Sequence, residues 1–173
     1  MQLFSVNAAE HFSREYTQSP TSQQITVNDH FTRTSRPSHR SFNEGTADFA
    51  DLRDCVLRES ERYLFLSASN YRRFVDLLMT SSASWALVTA YYGCWYSAHA
   101  LLGMFGCSIL KNYVLDVDAS RPGNQRLRYR RINGSPGTGT TRRGSHQQFW
   151  DLFYSAVSAL RPIIPSHLVP AVS

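Results

Sequence analysis

Apolar residues recur along this chain at different spacings, and each spacing predicts a different element. From Thr46, the stretch TADFADLRDCVLRESERYLFL places Phe49, Leu52, Val56, Tyr63 and Leu66 at near-helical intervals, with Thr46 as a cap and Asp48 in the first turn. This predicts a first amphipathic helix. SASNYRRFVDLLM predicts a second, shorter one, capped by Ser69 or Asn70, with Tyr71, Phe74, Val75 and Leu78 on one side. A third helix, from about Ser84 to Phe105, carries two apolar stripes. Trp85, Val88, Tyr92, Trp95, His99, Leu102 and Phe105 mark one, and Leu87, Tyr91, Ala98 and Leu101 mark the other. A helix apolar on nearly every side belongs in the middle of a bundle. From Ser145, the residues His146, Phe149, Trp150, Phe153, Val157 and Leu160 return to helical spacing, and Pro162 and Pro165 stop that last helix.

Between the third and last helices the period changes. NYVLDVD and RLRYRRI alternate or carry β-branched residues, and the turn-forming ASRPGNQ joins them, which predicts a small inserted hairpin followed by the flexible loop NGSPGTGTT. Residues 1–45 are rich in Ser, Thr, Gln, Asn and Arg, with one alternating stretch, QQITVNDHFT, expected as a strand. The expected fold is therefore mainly α. Residues 46–173 form a helical-bundle domain with a basic insertion at about 112–143, and residues 1–45 form an irregular extension, flexible or folded as a short hairpin.

Composition narrows this picture. Among 173 residues, 42% are hydrophobic and 13% aromatic, enough to build the core of one domain. Leu77 through Leu110 contains no charged residue and is long enough to cross a bilayer. Tyr91, Tyr92, Trp95, Tyr96 and His99 nevertheless fall near its middle, whereas membrane helices concentrate Trp and Tyr at the two interfaces. Gly93, Ser97, Ala98, Ala100 and Gly103 suit close contacts between helices, so a bundle is expected and a membrane is not an expected partner. Cys55, Cys94 and Cys107 form no CxxC or Cys/His cluster, which predicts a reducing compartment and no structural metal. The N-terminus lacks the basic and apolar regions of a secretion signal, leaving the cytoplasm as the expected location. No P-loop, GxGxxG, GxSxG or HExxH is present, and no cofactor is expected. The abrupt tail PSHLVPAVS suits a piece or subunit of something larger.

Charge adds candidate chemistry. The net charge is +5, and Lys111 is the only lysine among 18 basic residues. A guanidinium fork fits phosphate, so the arginine bias suits a nucleic-acid partner, although a GC-rich coding sequence produces the same bias. Arg121, Arg126, Arg128, Arg130, Arg131, Arg142 and Arg143 lie in a window with no acidic residue. In RLRYRRI, Arg126, Arg128 and Arg130 share one face of a strand, with Tyr129 on the other beside Leu127 and Arg131. Such a ribbon either holds an RNA backbone with salt-sensitive affinity or simply decorates an exposed hairpin.

In TTRRGSHQQFW, Ser145 and Gln148 make a capping-box pattern and His146 takes the first helical position. Free N–H groups at a helix start favour an anion, and Arg142 and Arg143 just upstream can close over it. With an imidazole beside a phosphate cradle, this is the minimum set for cleaving RNA without metal. The plainer alternative is a capped helix start whose histidine touches solvent. His99 reads as a core histidine. If the third helix packs beside the start of the last one, His99 or a tyrosine such as Tyr92 is placed to orient the site. His11, His30, His39 and His167 show no ligand spacing.

TAYYGCWYSAHALLGMFG, residues 89–106, resembles the central helix of HEPN-domain proteins. The matching features are the aromatic pair Tyr91 and Tyr92, the small residues Gly93, Ser97 and Ala98, the run Ala100 to Leu102 and the closing Gly106. The resemblance covers about residues 46–162. It implies an α-helical bundle, commonly dimeric, and in active members a metal-independent ribonuclease of toxin, antiphage or RNA-processing systems. The family signature is an arginine, four to six intervening residues and a histidine near the start of a late helix. His146 sits in that place, with three residues between it and Arg142 and two between it and Arg143. Relatives that have lost the motif serve as binding or assembly modules. The resemblance thus implies catalysis by His146, Arg142 and Arg143. Together with the arginine-rich stretch, it leads us to expect RNA bound by Arg121, Arg126, Arg128, Arg130, Arg131 and Ser145. Expected partners are RNA, a second copy of the chain, and an antitoxin or larger assembly. The alternatives are a non-catalytic interaction subunit and a membrane-associated helical protein.

Overall fold

The computed structural model describes residue 12 and residues 26–33, 39–80, 82–110, 113–118, 124–131 and 145–160. These residues are mostly helical, with one small antiparallel sheet. Chain order is α1 (Val27–Arg33), β1 (His39–Asn43), α2 (Ala47–Met79), α3 (Ala83–Met104), β2 (Ser108–Leu110), β3 (Tyr113–Asp118), β4 (Arg126–Arg131) and α4 (Ser145–Leu160). The sheet order is β1-β4-β3-β2.

The two helices expected over residues 46–79 are one. Ser69 and Asn70, read as caps, lie inside a continuous 33-residue helix, roughly 50 Å long. Asn70 donates its side-chain N–H to the Leu66 carbonyl one turn back, so its polar group is satisfied without breaking the helix. The start was legible: Thr46 is the N-cap, its hydroxyl oxygen accepting from the Phe49 N–H at 3.3 Å while the hydroxyl donates to the Asn43 carbonyl at 2.7 Å. Gly45 precedes it at φ 84°, a left-handed turn that suits glycine.

α3 runs antiparallel to α2 over small residues. A Cβ on Gly103 would stand 2.7 Å from the Ser60 Cβ, and the Ser67 hydroxyl donates to the Gly93 carbonyl at 3.1 Å. The Ser60 hydroxyl donates to the Ala100 carbonyl. The small residues therefore let the two backbones approach, as their spacing predicts. α3 ends in a Schellman turn: the Cys107 N–H reaches the Leu102 carbonyl and the Gly106 N–H reaches that of Gly103, with Gly106 at φ 72°. A Cβ on Gly106 would meet the Val117 side chain, so this glycine serves both the turn and the packing of the helix end on β3.

The expected hairpin is present as β3 and β4, paired from Tyr113 opposite Arg131 to Asp118 opposite Arg126. It is the centre of a larger sheet, because β1 flanks β4 and β2 flanks β3. One face, bearing Leu115, Val117, Leu127, Tyr129 and Phe42, packs against Phe49, Leu52, Cys55 and Val56 of α2. Phe12, Val27 and Phe31 complete this core, with Phe31 stacked on Tyr129 at 4.1 Å. Phe12, Val27, Phe31 and Phe42, all from the N-terminal 45 residues, are thus core. The strand expected in QQITVNDHFT is instead helix α1 from Val27, whose period puts Val27 and Phe31 on one buried side. A second cluster joins Ala98 and Leu102 of α3, Cys107, Val114 of β3 and Phe149 of α4. Among the described residues, no helix is long and apolar enough to cross a membrane.

Candidate functional site

α4 starts at Ser145, where the sequence predicts, and lays Phe149 against α3 with a relative exposure of 1%. That anchor puts His146, three residues earlier and on the same helix face, over the middle of α3. The Tyr91 hydroxyl lies 2.8 Å from His146 Nδ1. The Trp95 ring, one turn along α3, stacks on the imidazole with centroids 4.3 Å apart and planes 21° from parallel. Whichever tautomer is present, the Tyr91 contact engages Nδ1 of an exposed ring, and Nε2 is the nitrogen this contact does not use.

Beneath Trp95 lies His99, half-buried. Its ring stacks on Phe149 at 4.1 Å, meets Trp95 edge-on at 4.9 Å and faces Tyr63 of α2 at 4.7 Å. Burial, followed by the neighbouring charge of His146, pushes its pKa down from the usual 6.5 to about 4. His99 is therefore neutral near pH 7, in keeping with its reading as a core histidine. Burial, reinforced by Glu59, raises the Tyr63 hydroxyl to about 12, so that group stays neutral as well. Burial and the adjacent Asp51 raise the Cys55 thiol to about 11, so it remains the unreactive thiol.

The structure brings together some predicted site residues. His146 is at the first turn of α4 as expected, and α3 does pack beside that turn. The tyrosine that meets His146 is Tyr91 rather than Tyr92, because α4 crosses α3 where Tyr91 of one stripe and Trp95 of the other lie one turn apart. Arg121, Arg142 and Arg143 lie outside the described residues, as do the side chains of Ser145 and Gln148, on which the capping-box reading rests. Arg130 and Arg131 lie in β4, with their side chains likewise outside.

The arginine ladder differs from its expected form. Arg126 and Arg128 share a sheet face, but strand pairing puts Asp118 and Asp116 directly opposite them. Arg128 Nε donates to Asp116 Oδ1 at 3.0 Å, and Asp116 is 1% exposed. Arg126 Nε donates to the Asn43 side-chain oxygen at 3.0 Å. The window free of acidic residues was counted along the chain, whereas the acids arrive from the neighbouring strand. The alternation of NYVLDVD carried that signal, since Asp116 and Asp118 stand two apart just as Arg126 and Arg128 do.

Among the described residues, no group of three His, Cys, Asp or Glu side chains is placed to hold a metal ion. Comparison with protein-family models, with curated proteins and with solved structures finds no match for this chain.

Proposed function

We propose that this chain is an HEPN-like, RNA-binding helical domain acting as a metal-independent ribonuclease of a toxin or antiphage system. The observation that supports it is the Tyr91–His146 hydrogen bond on the Trp95 platform, which holds one exposed imidazole by its Nδ1 at a helix N-terminus. In this reading the RNA 2′-oxygen attacks the adjacent phosphorus and loses its proton to a base. The P–O5′ bond breaks, and the departing 5′-oxygen takes a proton from an acid. His146 Nε2 performs one of these two transfers. Arg142 and Arg143 hold the phosphate, and the helix start adds its positive dipole end. Arg121, Arg126, Arg130 and Arg131 position the strand, with Arg128 contributing less because Asp116 already neutralises it. The free thiols of Cys55, Cys94 and Cys107 suit a reducing cytoplasm.

The test is RNA cleavage by the purified chain in excess EDTA, beside His146→Ala. Cleavage that survives chelation, leaves 2′,3′-cyclic phosphate ends and vanishes in the variant, while RNA affinity stays, supports the reading. If neither protein cuts, the ribonuclease reading fails. A second reading, a non-catalytic interaction subunit of a larger assembly, is favoured by the apolar side chains that the α2–α3 hairpin exposes.

A further inference from the structure

Tyr91 and His146 together make one flat surface. Their ring planes are 16° apart, while their centroids are 6.2 Å apart and the Tyr91 hydroxyl lies 2.8 Å from His146 Nδ1. Rings joined through such a bond lie edge to edge, unlike the imidazole and the Trp95 indole, which lie face to face at 4.3 Å. Trp95 therefore backs one face of the imidazole. Its plane is also within 28° of that of Tyr91, so the three rings build a two-layered shelf. His146 is exposed and Tyr91 is 40% exposed, and among the described residues no ring stacks on the far face of the imidazole.

We infer that this far face is a subsite for one unpaired nucleobase, stacked on the layer that Tyr91 and His146 form. The inference rests on the ribonuclease reading for the source of the base, a strand of RNA. Three observations point to a planar ring carried on phosphate. The surface is flat across two rings, which rewards a planar π-system more than an aliphatic side chain. It lies at the first turn of α4, whose free N–H groups and dipole favour the anion that a nucleotide carries. The hydrogen bond already holds both rings in place, so little side-chain freedom is lost when a base arrives. A base inside a duplex is stacked on its neighbours and offers only its edges, so the subsite takes a base from single-stranded RNA. Tyr91 is thereby a residue that selects unpaired substrate as well as one that holds His146.

Adenosine 5′-monophosphate and ribose 5-phosphate share a phosphate and differ by the base. Titrations with each, followed through the ring resonances of residues 91 and 146, test the subsite. The nucleotide is expected to shift both rings upfield and to bind at least about tenfold more tightly than the sugar phosphate. Tyr91→Leu should lose that difference, whereas Tyr154→Leu, which removes another exposed ring of α4, should keep it. Circular dichroism checks that both variants fold, and the wild-type shifts stand without them. A 2′-O-methyl RNA strand, whose blocked 2′-oxygen cannot attack, is expected to shift the same rings and to bind at least about tenfold more tightly than the free nucleotide, while its duplex leaves them unshifted. Equal binding of the nucleotide and the sugar phosphate overturns the subsite, as does a folded Tyr91→Leu that binds the nucleotide like the wild type. A strand no tighter than the free nucleotide, or a duplex that shifts the rings equally, overturns single-stranded RNA as the source. None of these probes is cut, so the two readings fail separately. Base-dependent shifts without RNA cleavage in EDTA uphold the subsite and end the ribonuclease reading; cleavage without base-dependent binding does the reverse.

Discussion

The two halves of α2 have the same period and opposite fates. From Phe49 to Leu57, its apolar side chains are almost fully buried against the sheet and α1, with Leu52 at 0% exposure. Beyond Ser60, residues equally apolar and equally regular, such as Leu64 and Tyr71, stand in the open. Helical spacing reports which side of a helix is apolar; what covers that side is decided by distant chain. The first half meets β1, β3, β4, Phe12 and α1, whereas the second half packs on α3. Stability is thereby concentrated at the sheet end and unspent apolar surface at the free end, and the His146 cluster lies on α3 between them.

The largest expected effect separates the two ends. Leu52→Ala leaves a cavity in the sheet-side core and should cost about 2–5 kcal/mol. Leu64→Ala, measured at concentrations too low for association, should change stability by less than about 0.5 kcal/mol. Urea unfolding of both variants checks this; equal losses would erase the distinction. A smaller effect tests the middle of the molecule. His99 binds its proton less readily when folded, so protonation favours the unfolded chain. Its contribution is complete above pH 6.5 and is lost as pH falls from about 6.5 to about 4. Unfolding curves at pH 7, 5 and 4 should therefore fall more steeply for the wild type than for His99→Gln, and parallel curves would argue that His99 is not held in the aromatic cluster.

Much of this fold was legible because local signals agreed with distant ones. The Thr46 cap, the helix start at Ser145 and the pairing of NYVLDVD with RLRYRRI all appear where their residues predict. The failures share a cause. Ser69 and Asn70 are good caps by type, yet the helix continues because α3 supplies packing on the other side. QQITVNDHFT alternates like a strand, yet Val27 and Phe31 become a helical pair because the sheet face needs a cover there. The short run HRSFN carries little apolar pattern, and only its pairing with β4 makes it a strand. At the site, His146 was visible in the sequence as a helix-start residue. Its partner was not, since Tyr91 and Tyr92 are neighbours and only the crossing of α4 decides between them.

The claim on which the functional account rests is that α3 holds His146 in place, so that it is more than a solvent-touching residue at a capped helix start. Nitrogen-resolved NMR of the His146 imidazole in the wild type and in Tyr91→Phe tests this most directly, because the ring of residue 91 is kept and only its hydroxyl is removed. The account predicts one hydrogen-bonded state at Nδ1 in the wild type, with ring protons shifted by the stacked Trp95, and a return toward free-imidazole values in the variant. Free-imidazole values in both proteins would contradict it and leave a capped helix beside an aromatic surface.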